Sequence, residues 1–296
     1  MEVSGYADYL TEADLRLTAR AVGTSAATVA ELAGDAAAIE GLLADPRVFS
    51  AVFGTPSAVP ATPEVLVFAS PFLAFGVAVH RAVADLADMD YLPERSGLRQ
   101  RVPLFDAPQL RDFLSSADRR LFLAELLASF TRVASGRYRI RSGGRTRSRR
   151  FSELDPVKLA GLIEVAPEES RPGIYRRLGD VSLFLAGVFP DYSAMHAFGP
   201  VDVSRLLRSA RVPAGDRDGL AAAPALDLLE YLGARWYRAA LATAPVRTAR
   251  LDVVGEVAER FRQARRVLNH LADRYLVGSG GAGAGSGGWL PQPGTL

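Results

Sequence analysis

Apolar residues recur at helical spacing along nearly the whole chain, and the polar residues between them fall where helices begin and end. Thr11 and Asp14 make a capping-box pattern ahead of Leu15, Leu17, Ala21 and Val22, and Gly23 closes that helix. TSAATVAELAGD and DAAAIEGLLADP predict two short helices, opened by a capping Thr, Ser or Asp and closed by Gly34 and Pro46. TPSAVPATP, residues 55–63, is too rich in proline for an element. Ser70 with Pro71 then starts a helix through FLAFGVAVHRAVADLADM. Phe72, Phe75, Val79, Ala82, Val83 and Leu86 share one face of it, with Arg81, Asp85 and Asp88 opposite, so it is expected to pack by one side.

Further on, YLPERSGLRQRVPLF (91–105) predicts a loop, Asp106 a short helix to Ser115, and Ser116 the start of ADRRLFLAELLASFTRVAS, whose apolar residues cover most of its circumference. Asp155 with Pro156 repeats the cap-and-proline start for VKLAGLIEV, and GIYRRLGDVSLFLAGVF predicts a helix apolar almost all round beyond Asp180. A short helix near 203–209, the helix ALDLLEYLGARWYRAALATA and a long one from about Leu251 to Leu276 complete the set. In the last, Val254, Val257, Phe261, Ala264, Leu268, Leu271 and Tyr275 form a stripe, with Glu256, Glu259, Arg266, His270 and Asp273 off it, a pattern that covers a bundle or pairs with a second copy.

One segment breaks the helical period. GRYRIRSGGRTRSRRF (136–151) holds Gly143-Gly144 between two alternating runs, the signal of a two-residue β-hairpin. With the glycines as the turn, Arg137 faces Arg150, Arg139 faces Ser148 and Arg141 faces Thr146 on one surface. Tyr138 with Arg149 and Ile140 with Arg147 fall on the other. The expected fold is therefore mainly α, a multi-helix globular bundle with one inserted arginine-rich hairpin. Residues 1–135 and 153–277 are expected to share one core, the hairpin occupies 136–152, and a flexible glycine-rich tail occupies 278–296 and ends in WLPQPGTL.

Composition adds little chemistry. At 49% hydrophobic residues the 296-residue chain has ample material for a core. Lysine occurs once, at Lys158, and arginine supplies every other basic side chain, as a GC-rich bacterial genome would produce. There is no cysteine, which excludes disulfides, thiol nucleophiles and iron–sulfur ligation and fits a reducing compartment. MEVSGYADYL lacks the pattern of a secretory leader, and VLVFASPFLAFGVAV is too short to span a bilayer, so no membrane association is expected. Residues 137–150 contain no acidic residue and carry +7, which leaves −5 on the remainder of a chain with net charge +2.

That concentration makes Arg137, Arg139, Arg141, Arg145, Arg147, Arg149 and Arg150 the candidate polyanion-binding residues, since arginine forms bidentate contacts with phosphate and carboxylate. A helix followed by a basic hairpin is also the order of a winged-helix module, but RRLFLAELLASFTRV reads as core and offers few polar side chains to bases. The other reading pairs these arginines with carboxylates of the body or of a partner. His80, His196 and His270 stand in no metal-binding spacing, so no metal or cofactor is expected. His196, in a loop beside Asp191, Tyr192 and Asp202, is an acid–base candidate together with Asp191 and Asp180. Arg176 and Arg177, one turn earlier, also account for Asp180 as an ion pair. The GxGxxG at Gly278, Gly280 and Gly283 lies in the tail with no strand before it, so it makes no dinucleotide site.

RRLGDVSLFLAGVFPDY (176–192), SPFLAFGVAVHRA (70–82) and RRLFLAELLASFTRVASG (119–136) together resemble a family of uncharacterised bacterial and archaeal helical proteins. The resemblance covers most of the chain up to the glycine-rich tail and implies a shared helical fold, with no activity attached. The expectation is a non-catalytic cytoplasmic interaction protein that meets a protein partner through the hairpin or WLPQPGTL. Nucleic-acid binding through the hairpin, and an enzyme site near Asp180, Asp191 and His196, are the alternatives.

Overall fold

Side-chain caps open most of the helices, in a computed structural model that describes residues 5–54, 69–97, 100–142, 145–195 and 198–276. In α1 (Glu12–Val22) the Thr11 hydroxyl accepts from the Asp14 N–H while the Asp14 carboxylate accepts from the Thr11 N–H, and Gly23 ends the helix at φ 78°. Ser25 opens α2 (Ala26–Ala33) and Asp35 opens α3 (Ala36–Ala44). Asp45 with Pro46 opens α4 (Pro46–Phe53), a helix that the sequence pattern does not predict, because its two turns are too few for a period to show. Ser70 and Pro71 open α5 (Pro71–Ala87) as expected.

Residues 91–105 are not a loop: β1 (Leu92–Gly97) and β2 (Gln100–Leu104) pair as a two-stranded sheet. Pro93 and Pro103 and the lack of apolar alternation hide these strands in sequence, but edge strands tolerate proline because one side of each needs no ladder bond. Next come α6 (Ala107–Leu114) and α7 (Ala117–Ser129), then β3 (Ser135–Ser142) and β4 (Arg145–Ser152), which pair antiparallel. The chain continues with α8 (Pro156–Ile163), α9 (Arg171–Val188), α10 (Pro190–Met195), α11 (Pro200–Ser209), α12 (Arg217–Ala221) and α13 (Ala225–Thr243). The expected long terminal helix is broken at Arg260 into α14 (Ala249–Glu259) and α15 (Phe261–Leu271), and a π turn over Ala272–Leu276 follows. Neither glycine nor proline marks that break in the sequence. The fold is mainly α, as expected, and among the described residues no helix is long and apolar enough to cross a membrane.

The described residues cluster into two compact units, one within residues 5–93, 103–131 and 270–276 and the other within 94–102 and 132–269. In the first, α5 packs against α3, α4, α6 and α7. It is buried all round from Phe72 to His80 rather than on one face, because neighbours surround its first half. Leu73, Phe75 and Leu86 of α5 are buried, as are Ile39 and Leu43 of α3, Leu123 and Leu127 of α7, and Phe130. Arginine closes helix ends here: Arg111 donates to the Leu86 carbonyl at the end of α5, and Arg119, itself buried, donates to the Asp112 and Phe113 carbonyls of α6.

In the second unit α9 and α13 form the centre, with α8, α10 and α14 against them. Their contact is a seam of small residues. A Cβ on Gly179 would lie 2.3 Å from the Tyr237 ring, and one on Gly233 would lie 2.3 Å from the Phe261 ring and 3.0 Å from the Ser182 Cβ. Trp236 and Tyr237 are fully buried, and the Trp236 N–H donates to the Ser209 hydroxyl at 3.3 Å. Glu94 of β1 is tied to α15 by ion pairs with Arg265 and, at 3.3 Å, Arg266, while Glu230 of α13 holds Arg265 at 2.9 Å and Arg262 at 2.7 Å.

Candidate functional site

The ribbon β3–β4 forms in the register that the alternation predicts. Arg137 pairs with Arg150, Tyr138 with Arg149, Arg139 with Ser148, Ile140 with Arg147, Arg141 with Thr146 and Ser142 with Arg145. The Gly143-Gly144 turn itself lies outside the described residues. Directly paired positions share a face, so Arg137, Arg139, Arg141 and Arg150 lie on one face with Thr146 and Ser148. Arg145, Arg147 and Arg149 share the other with Tyr138 and Ile140. Alternate strand residues are about 6.7 Å apart, so each face carries a row of three guanidinium-bearing positions at that spacing.

The base of the ribbon is pinned. The Glu153 N–H donates to the Ala134 carbonyl at 3.0 Å, and the Glu153 carboxylate accepts from the Ala134 N–H at 3.2 Å and from the Arg177 guanidinium of α9 at 3.0 Å. One carboxylate thus ties the ends of both strands to the central helix of its unit. The preceding helix α7 buries Leu121, Phe122, Leu123, Ala124, Leu126 and Leu127, so it is core and presents no recognition face.

The acid–base candidates sit in separate elements. Asp180, half-buried in the middle of α9, accepts a 2.8 Å hydrogen bond from the Tyr237 hydroxyl. Burial, followed by the Asp180 charge, pushes the Tyr237 phenol well above its ordinary range. The Arg176 and Arg177 charges act on the same phenol in the opposite sense. Asp191 opens α10; from Asp180 to the end of α9 at Val188 the axis advances about 12 Å. His196 lies outside the described residues, as does the tail with its GxGxxG.

Two buried polar clusters escape a reading of the sequence. Asp85, expected on a solvated face, has a side chain only 5% exposed. It accepts from Arg81 at 3.2 Å, from Arg274 at 3.0 Å and from the Tyr275 hydroxyl, with His270 Nε2 3.9 Å away. His270, also expected to face solvent, is buried beside it, and burial lowers its pKa while the Asp85 charge opposes that shift. Phe49 and Phe53 stack together and pack on the Tyr275 ring. These groups come from segments nearly 200 residues apart, a distance at which no sequence spacing signals contact.

In the second cluster His80 and the Tyr6 hydroxyl share a 3.1 Å hydrogen bond, and Arg120 forms a 2.8 Å ion pair with Glu40. Burial, aided by the Arg120 charge, lowers the His80 pKa from 6.5 to about 4. Folded His80 therefore stays neutral where the unfolded histidine takes a proton. The stability is present above pH 6.5 and is lost as pH falls toward 4. Between pH 7 and 5 the loss is expected to be about 2 kcal/mol. Urea unfolding of the wild type and of His80→Gln across that range checks it: the variant is expected to show the shallower profile, and parallel profiles would remove His80 as the cause.

Among the described residues no three His, Asp or Glu side chains converge as a metal ion requires. No family model matches the chain, and neither a curated protein nor a solved structure does.

Proposed function

We propose that the chain is a non-catalytic cytoplasmic interaction protein that uses the ribbon β3–β4 to hold an acidic partner protein. The observation that carries this reading is the composition of one ribbon face: Tyr138 and Ile140 alternate with Arg145, Arg147 and Arg149 across the register. Tyrosine and arginine are the residue types that dominate protein–protein hot spots, where an apolar anchor sits beside a bidentate donor. Charge supports it as well, because +7 in a segment without a carboxylate steers an acidic surface toward the ribbon. Elsewhere arginine is used for helix-end carbonyls and ion pairs, so abundance alone does not account for this cluster. The cytoplasmic placement rests on the cysteine-free composition.

A second reading is favoured by the opposite face. Arg137, Arg139, Arg141 and Arg150 with Thr146 and Ser148 make a purely polar cationic surface, and a two-stranded ribbon has dimensions that enter the major groove.

One titration separates the two. Fluorescence anisotropy is read with a labelled polyglutamate peptide, duplex DNA, single-stranded DNA and RNA, for the wild type and for R145S/R147S/R149S/R150S. The peptide is expected to bind at moderate salt and to lose at least tenfold in affinity in the variant, whose melting temperature stays that of the wild type. Nucleic acid binding tighter than the peptide, with a salt slope that falls by about 1 in that variant and by about 3 to 4 in R137S/R139S/R141S/R150S, establishes the second reading. If no polyanion binds, the ribbon is not the contact surface.

A further inference from the structure

Among the described residues β3 pairs with β4 and with no other strand. The phase of that pairing is fixed at its base, where the Glu153 N–H donates to the Ala134 carbonyl at 3.0 Å. In an antiparallel ladder, opposed residues alternate between pairs that exchange hydrogen bonds and pairs whose N–H and C=O groups point away from each other. Ala134 and Glu153 stand one step outside the Ser135–Ser152 pair, so the bonded positions of β3 are Gly136, Tyr138, Ile140 and Ser142. The far end agrees: Ser142 and Arg145 are partners with two residues between them, which only a bonded pair allows. Arg137, Arg139 and Arg141 therefore turn their backbone N–H and C=O groups to the outer edge of β3. β4 has α8 against it, and its corresponding outward positions, Thr146, Ser148 and Arg150, hold only one arginine.

The outer edge of a strand pair is a template for one more strand. Residues added opposite Arg137, Arg139 and Arg141 would share the face of those arginines, and the residues between them would share the face of Tyr138 and Ile140. The edge thus alternates cationic and apolar positions with the period of the strand that would cover it. Carboxylates at every second position complement the arginines, and β-branched residues between them complement Tyr138 and Ile140. A segment acidic at every position would instead set carboxylates beside Tyr138 and Ile140. A second copy of β3 does not fit either, since edge-to-edge pairing would place arginine opposite arginine on one face.

We propose that the partner adds an extended segment, acidic at alternate positions and apolar between them, as a third strand on the outer edge of β3. This rests on the reading of the ribbon as the holder of an acidic protein and narrows it, because recognition then depends on backbone and period as well as on charge.

Fluorescence anisotropy tests it with the full chain and two labelled, acetylated peptides. Glu-Val-Glu-Val-Glu is compared with Glu-Glu-Glu-Val-Val, which has the same composition and charge. The alternating peptide is expected to bind at least about tenfold tighter. N-methylation of its central glutamate amide, which would face β3, is expected to cost about tenfold, whereas N-methylation of a valine amide, which would face away, costs less than about twofold. These comparisons leave the protein unaltered, so misfolding cannot mimic the result. On the protein side, R139S and R139P remove the same charge, but proline also removes the outward N–H, a loss that an edge position tolerates. At equal melting temperature R139P is expected to bind the alternating peptide about fivefold more weakly than R139S.

Equal affinity for the two peptides, or equal loss from the two methylations, overturns strand addition and leaves capture of an acidic surface by charge in place. If polyglutamate also fails to bind, both readings fall together. A dimer seen by sedimentation without peptide, and lost in R139P, overturns the proposal by assigning the edge to a second copy.

Discussion

Replacing Gly179 with alanine is expected to destabilise the protein by about 3 kcal/mol, against the helix preference of alanine, which by itself gains about 1 kcal/mol. The added methyl would lie 2.3–2.4 Å from Tyr237 Cδ1 and Cε1. That ring cannot swing aside, since it is fully buried and its hydroxyl is bonded to Asp180 on the residue next to Gly179. Relief requires α9 and α13 to separate, and the loss then spreads to the contact that Gly233 makes with Phe261 and Ser182. Gly41→Ala is the control. It sits exposed inside α3, a methyl there would meet nothing within 4 Å, and alanine is expected to gain about 0.5–1 kcal/mol. Urea denaturation of both variants should give midpoint shifts of opposite sign. A neutral Gly179→Ala would mean that the seam between α9 and α13 yields to an added methyl.

Asp85→Ala is expected to cost about 3 kcal/mol as well. The carboxylate is the common acceptor for Arg81, Arg274 and the Tyr275 hydroxyl, and its removal leaves these donors without it. The two arginines are 40% and 47% exposed and can turn to water, which keeps the cost toward the lower end for a broken buried pair. Tyr275 has less freedom, packed by Phe49 and Phe53, and Arg81 is stacked over Phe49, so aromatic packing loosens with the charge network. Asp85→Asn, which keeps an acceptor for Tyr275, is expected to lose about half as much. Thermal melts of Asp85→Ala, Tyr275→Phe and the double variant give the coupling, expected at about 1 kcal/mol or more. Additive losses would show that Asp85 acts through the arginines alone.

The elements that were legible in the sequence share a cause. Thr11 with Asp14, Ser25, Asp35, Ser70, Ser116 and Asp155 each cap a helix where the sequence places one, because a capping bond spans two or three residues and needs no partner from elsewhere. The ribbon register is legible for the same reason: once two residues make the turn, every pair follows. β1 and β2 were not legible, since Pro93, Pro103 and a run of polar residues erase the alternation that marks a strand. Of the candidate site, the arginine positions and their faces were legible, whereas the Glu153 carboxylate that joins Ala134 to Arg177 was not. That tie brings together residues 19 and 24 positions apart in sequence, and no period encodes it.

Taken alone, then, the sequence determined the local quantities: a mainly α fold, most helix starts, the arginine ribbon and its pairing, and the concentration of +7 in 14 residues. The tertiary structure decided burial. It placed Asp85 and His270 inside, although both lie off the apolar stripes of their helices, because segments far along the chain close over them and supply the hydrogen bonds that make burial tolerable. It also gave Gly179 and Gly233 their purpose, since the need for a missing Cβ exists only where a second helix brings a ring against it.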